Sequence, residues 1–241
     1  TPLYSSAASD VYKRQVYETV SRVKSRLPAE TTLIGFAGAP WTVALYAIEG
    51  RGGTDKSTAR LWAHQYPAEL DLLLDDLVEA TAHYMAAQAE AGAEALMMFD
   101  SWAEGLPNDI FEQIIIRPNQ KLVKRLRELG VTVPLIGFPR GAGVQLPAFA
   151  EQTGVSAVGL DTAALPSFVN RELPSGMPVQ GHLDPLLLMT GGDAMERRII
   201  ELLEAYKDRP HIFNLGHGVL PQTPIPNVER AVRTVREWKA S

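Results

Sequence analysis

Short apolar runs that end at Gly, Asp or Pro alternate along this chain with longer amphipathic stretches. Six such runs read as strands, over Thr32–Phe36, Ala95–Phe99, Val133–Phe138, Ala157–Leu160, Pro178–Gln180 and His211–Leu215. Each is apolar at consecutive positions, the pattern of a strand buried on both faces. Helical stretches lie between them. The run from Ala68 to about Ala91 follows Tyr66-Pro67 and places Leu70, Leu73, Leu74, Leu77, Val78 and Ala82 on one face before Gly92 stops it. Phe111 to Leu129 gathers Lys121, Lys124, Arg125 and Arg127 toward its C-terminal end, where cations suit the helix dipole, and ends at Gly130. Met195–Tyr206 and Asn227–Trp238 complete the helical set. This βα alternation predicts a parallel sheet with right-handed crossovers. About six βα units fit a doubly wound open sheet directly, whereas a closed eight-stranded barrel needs about two more. The pattern leaves both open.

Composition narrows the class. The 241 residues are 46% hydrophobic, 21% charged and 7% aromatic, which excludes a disordered, collagen-like or coiled-coil chain. Zero Cys removes a disulfide scaffold, a thiolate metal site and a Cys nucleophile. A net charge of -5 gives no footing for nucleic acid or an anionic membrane. No apolar run approaches the roughly 20 residues of a membrane span and no signal pattern opens the chain, so a cytoplasmic protein is expected. Thr1–Gln15 is polar, without a clear helix or strand period. Asp10-Val-Tyr-Lys-Arg-Gln15 resembles the translation of a sequencing-library transposase adaptor. On that reading residues 1–15 are not native, native sequence begins near Val16, and the true N-terminus is missing from residues 16–241.

In parallel α/β folds ligands collect at the C-terminal ends of the strands, so the polar residues there are the candidates. His217, between Gly216 and Gly218, suits a ligand-facing role or a turn that satisfies a loop carbonyl. Asp100 follows a strand and reads equally as a site carboxylate or a helix N-cap. Ser101 has no His/Asp partner legible beside it, and no G-x-S-x-G elbow is present. Asp184-Pro185 reads as an N-cap with Pro at the first helical position. Arg140 either reaches an anion or forms a salt bridge across the mouth. Asp161 also follows a strand. Tyr46 alone reads as core, and His64 and His83 as helix-surface or packing residues. No dinucleotide G-x-G-x-x-G, Walker or H-E-x-x-H motif occurs. Five scattered His with no Cys make a zinc centre a poor reading.

Taken in order, Gly35-Phe-Ala-Gly-Ala-Pro-Trp-Thr42 with Tyr46 and Glu49-Gly50, Phe99-Asp-Ser-Trp-Ala103, Gly159-Leu-Asp161, Gln180-Gly-x-x-Asp-Pro185 and Asn214-Leu-Gly-His-Gly218 resemble the uroporphyrinogen decarboxylase family. The resemblance runs from about Val16 to the C-terminus. It implies a TIM-type (β/α)8 barrel, here with about six βα units, usually a homodimer, working in the cytoplasm. The implied reaction is removal of the four acetate carboxyl groups of uroporphyrinogen III to give coproporphyrinogen III in haem and tetrapyrrole synthesis, with no metal or organic cofactor. Position by position, Tyr46 matches the family's active-site Tyr, Ser101 its substrate-binding Ser and His217 its carboxylate-binding His. The family's Arg-rich N-terminal loop and its pyrrole-binding Asp have no counterpart here and are expected upstream of Val16. His182 stands where the family usually has Asn, Glu104 where it has Gly, and Thr162 where it has Trp. A cobalamin-dependent methyltransferase of the same superfamily is the alternative, disfavoured by the absent Cys; a non-catalytic tetrapyrrole-binding fragment is another.

Overall fold

A computed structural model describes the backbone of residues 3–50 and 55–240, and side chains from Lys13 onward within those spans. The chain opens with α1 (Leu3–Lys24), then β1 (Ile34–Gly38), α2 (Pro40–Glu49), α3 (Ser57–Gln65) and α4 (Pro67–Glu90). There follow β2 (Ala95–Asp100), α5 (Asn108–Phe111), a π-turn at Glu112–Ile116, α6 (Arg117–Glu128) and β3 (Leu135–Pro139). After a 3-10 turn at Gly143–Gln145 come α7 (Leu146–Gln152), β4 (Ala157–Gly159), α8 (Pro166–Glu172) and β5 (Val179–Leu183). The last elements are α9 (Pro185–Thr190), α10 (Gly192–Ala205), β6 (His211–Leu215) and α11 (Ile225–Glu237). All six expected strands form, β6 over its expected range and the others with ends moved by at most three residues. Leu3–Lys24 is a correction to the sequence expectation, because the helix runs through the segment that shows no period. Periodicity reports burial rather than backbone propensity, and a helix that packs loosely carries little of it. Thr1 and Pro2 lie outside the described residues.

The six strands are all parallel and lie in the order β1-β2-β3-β4-β5-β6. This order decides between the two architectures. A doubly wound sheet reverses its strand order at a switch point, whereas right-handed crossovers that always step the same way put every helix on one face. The sheet is therefore singly wound, as in a (β/α)8 barrel, with six strands and two edges. Among the described residues, β1 and β6 each pair with one neighbour only.

The two faces of the sheet bury differently. Leu96, Met98, Leu135, Val158 and Val179 face the helices and join a continuous core with Leu70, Leu74, Met85, Leu122, Leu126, Phe149, Ile199 and Leu202. The alternate positions Met97, Ile136, Phe138 and Ala157 form a separate small cluster on the helix-free face, with Phe99 against it. Toward the edges this inner face opens: Phe36 on β1 is 62% exposed and Ile212 on β6 is 44% exposed. Two of the sequence-level N-terminus signals are realised. Asp184 caps α9, its Oδ1 accepting from the Leu186 N–H at 2.9 Å, with Pro185 at the first helical position. At the other end of α6, Arg127 donates to the Val131 and Val133 carbonyls at 2.7 and 3.0 Å, tying the helix end to the β3 approach. Among the described residues no helix is long and apolar enough to cross a membrane.

His182, one of the departures from the family pattern, belongs to the helix-side core. It is buried, and its Nε2 meets the Tyr206 hydroxyl of the segment after α10 at 2.9 Å. Burial, with the nearby Arg198 and His211 charges, holds its pKa down to about 4, so it is neutral at pH 7.

A close backbone–ring approach yields a stability prediction. A Cβ added at Gly137 on β3 would lie 2.6 Å from Phe149 Cε1, and Phe149 is fully buried in α7. Gly137→Ala is expected to cost about 1–3 kcal/mol through overpacking. The urea midpoint of the variant measures this; an unchanged midpoint would mean that α7 shifts freely away from the sheet.

Candidate functional site

The strand ends are held by a clamp assembled from two of the sequence motifs. Pro40 starts α2, so the Trp41 side chain turns into the core and its Nε1 donates to the Trp102 carbonyl at 3.2 Å. The next residue, Thr42, accepts the Ser101 N–H at 2.9 Å on a hydroxyl that itself donates to Asp100 Oδ1 at 3.5 Å. Asn119 of α6 donates through Nδ2 to Asp100 Oδ2 and, at 2.8 Å, to the Ile115 carbonyl in the π-turn. The loop after β2 is thus fixed from α2 on one side and α6 on the other.

Asp100 is therefore no helix N-cap, since α5 begins at Asn108, eight residues on. Its carboxyl is 1% exposed. Burial raises its pKa from 3.8 to about 7, against the opposing bonds from Asn119 and Thr42. Asn119 was not singled out by the sequence reading. Its signal is legible afterwards: a polar residue three before Leu122 and four after Ile115, on the apolar face of an amphipathic helix.

Tyr46 is more exposed than its core reading expected, at 44%. It stands on the outer turn of α2, its ring edge-on to Trp102 with centroids 6.4 Å apart. Tyr46, Ser101 and Trp102 therefore form one group at the end of β2. His217 belongs to a second group. It lines a cavity of about 290 Å3 on the helix-free face, with Met97, Phe99, Phe138, Gln180 and Asn214. A neighbouring cavity of about 310 Å3 shares Gly159 and Leu160 with it and extends along Pro139, Gly141 and Leu165. Burial first, and then the Arg140 charge, lower the His217 pKa, which makes the imidazole neutral at pH 7.

Arg140 lies between the two groups. Its Nη1 donates to the Ser101 carbonyl at 3.3 Å and its guanidinium lies 6.0 Å from the Trp102 ring centre. The cross-mouth salt bridge does not form: among the described residues no carboxylate is within ion-pair distance of Arg140. Asp161, a strand-end carboxylate nearby, is committed elsewhere, accepting from the Gly141 N–H at 2.7 Å and the Ala163 N–H at 2.8 Å. Gly141 meets this bond with φ +78°, a left-handed conformation that suits glycine. The other family departures sit close by. Glu104 accepts from Arg60 Nη2 on its carbonyl at 2.6 Å and places Oε1 3.7 Å from Lys56 Nζ, whose ammonium lies 3.9 Å from the Trp102 ring centre. Thr162 packs against Gly216, so that a Cβ there would lie 2.5 Å from the Thr162 nitrogen. His64 is exposed, and His83 pairs with Glu79 on the outer surface of α4 at 2.8 Å.

The family model described as uroporphyrinogen decarboxylase (URO-D) matches residues 6–238. The chain is 67% identical over 221 residues to a uroporphyrinogen decarboxylase of Hyphomonas neptunium, across 92% of this chain and 64% of that protein. It is 49% identical over 220 residues to the uroporphyrinogen decarboxylase of Maricaulis maris, across 91% of this chain and 64% of that protein. The chain thus spans just under two thirds of the length of both relatives. Among solved structures, a methyltransferase from Methanosarcina mazei superposes with a TM-score of 0.79 at 21% identity, over 92% of this chain and 63% of that one, a likeness of fold.

The buried carboxyl gives a pH prediction. The fold favours protonated Asp100, so this stabilisation is complete below about pH 4 and is lost as pH rises through about 7. Between pH 5 and pH 8 the group should cost the wild type about 3 kcal/mol. Asp100→Asn removes the titration, so the wild-type deficit relative to the variant should grow over that interval in urea unfolding. A constant difference between the two proteins would show that Asp100 does not titrate there. His182 runs the opposite way, losing stability as pH falls from about 6.5 toward 4, and cancels in the comparison.

Proposed function

The chain belongs to the uroporphyrinogen decarboxylase family, and from that premise we propose that the protein removes the four acetate carboxyl groups of uroporphyrinogen III, giving coproporphyrinogen III. The observation that carries the reading is the placing of Tyr46, Ser101, Arg140 and His217 around the C-terminal ends of one singly wound sheet. Anion-binding groups there suit a substrate that carries eight carboxylates around one tetrapyrrole macrocycle. A cytoplasmic homodimer is part of the same proposal, as is the foreign origin of residues 1–15.

Each decarboxylation consumes one proton and releases one CO2. Protonation of a pyrrole ring carbon makes the ring an electron sink. The bond between the acetate methylene and its carboxylate then breaks, and its electron pair enters the ring as CO2 leaves. Protonation of the exocyclic carbon and loss of the ring proton complete the methyl group. The protein must hold a polyanion while stabilising a developing cation, which is electrostatic preorganisation. The residues of this chain serve the first task. Tyr46 and Ser101 offer hydroxyl donors, and the neutral His217 offers one N–H donor at the wall of the cavity. Met97, Phe99 and Phe138 supply the apolar floor on which a ring lies.

The second task calls for an ionised carboxylate beside the ring. Asp100 is buried beneath the loop, Asp161 is bonded to two backbone N–H groups, and Asp184 caps α9. The resemblance places the family's pyrrole-binding Asp upstream of Val16, and we assign the cation-stabilising carboxylate to it.

Two outcomes test this reading. Residues 16–241, purified alone, should turn over no uroporphyrinogen, and robust coproporphyrinogen formation would overturn the division of labour. In the full-length protein, His217→Ala should lower kcat/KM about tenfold by removing one hydrogen bond to a charged group. An unchanged kcat/KM would remove His217 from the site.

A further inference from the structure

We infer that Arg140 is a substrate-carboxylate anchor of this site, bridging the Tyr46–Ser101 group and the His217 cavity. The inference rests on the tetrapyrrole reading above. Four observations carry it. Arg140 has only one of its five N–H donors engaged, by the Ser101 carbonyl at 3.3 Å. Among the described residues no carboxylate neutralises it, because Asp161 is held by the Gly141 and Ala163 N–H groups. It lies between Pro139 and Gly141, which both line the 310 Å3 cavity, and two residues after Phe138, which lines the 290 Å3 one. Its charge also reaches His217, so one anion placed between the two side chains meets both.

The chemistry follows from geometry. The Ser101 carbonyl and the Trp102 face fix one side of the guanidinium, which reduces the rotamer freedom that an anion would otherwise have to freeze. The remaining donors form a planar fork that matches a carboxylate in bidentate fashion. With His217 neutral, Arg140 supplies a fixed positive charge beside the cavity, next to Lys56 on the Trp102 face. The ligand class is an aliphatic carboxylate on an aromatic or pyrrolic ring, since the cavity beside it has an apolar floor of Met97, Phe99 and Phe138.

The test uses the full-length protein and coproporphyrin III, a fluorescent tetra-acid, with its tetramethyl ester as the uncharged control. Titrations at low and high salt are run on the wild type, Arg140→Gln, Arg140→Lys and His217→Ala. Arg140→Gln should weaken the tetra-acid about tenfold and flatten its salt dependence, while leaving the ester unmoved. Arg140→Lys should recover part of the loss, which also controls for misfolding. Unchanged tetra-acid binding in Arg140→Gln beside weakened binding in His217→Ala overturns the role of Arg140 and leaves the tetrapyrrole reading standing. Equal weakening of acid and ester overturns it too, by showing that Arg140 acts only through packing on Trp102. A wild type that binds neither porphyrin overturns the inference together with the reading beneath it.

Discussion

A parallel strand whose crossovers always step the same way has helices on one face and none on the other. In this protein that constraint governs almost everything else. The helix-facing positions Leu96, Met98, Leu135, Val158 and Val179 are committed to one large core. The alternate positions Met97, Ile136 and Phe138 cluster with Ala157 and Phe99, on the face that the His217 cavity occupies. Hydrophobic burial therefore builds a scaffold on one side and leaves an apolar floor on the other. Polar chemistry is confined to the loops at the strand ends.

Those loops are precise because their anchors are buried. The Trp41–Trp102, Thr42–Ser101 and Asn119–Asp100 bonds link α2, β2 and α6 at one point. Buried polar groups are costly when left unpaired, so these three bonds hold the loop in one geometry. Asp100 illustrates how a strand-end carboxylate in a family motif can serve position rather than chemistry. Its side chain faces the π-turn and α6, where the Asn119 amide meets it. π-turns inside α-helices are frequent near functional sites, and here the turn lies directly behind the loop that presents Ser101.

The electrostatics of the mouth differ from a reading that places the positive charge on His217. An imidazole partly screened from water beside a guanidinium resists taking a proton, because a second cation there is repelled. Arg140 and Lys56 both carry positive charge beside Trp102, and in the proposed reading His217 adds a hydrogen bond. Asp100 and Asp161 are both satisfied within the protein. The role proposed for this mouth is to receive an anion.

The sequence by itself determined the six strands, the helices between them and the order of the strand-end motifs, because burial on both faces leaves a continuous apolar signature. Tyr46, Ser101 and His217 stand out only through the resemblance of the motifs that carry them, since Tyr46 alone reads as core and Ser101 has no catalytic partner beside it. The sequence could not choose between open and singly wound sheets, since that choice lies in strand order, which no local pattern encodes. Nor did it show α1, which runs through a segment without a period. The partners of Asp100 and Arg140 likewise required the fold. Asp100 meets Asn119 across 19 residues and Arg140 meets Ser101 across 39. A short side chain in a loop reads the same whether it caps a helix, closes a salt bridge or faces a ligand. Only the tertiary structure decides, by settling which neighbours remove its water and which supply its hydrogen bonds.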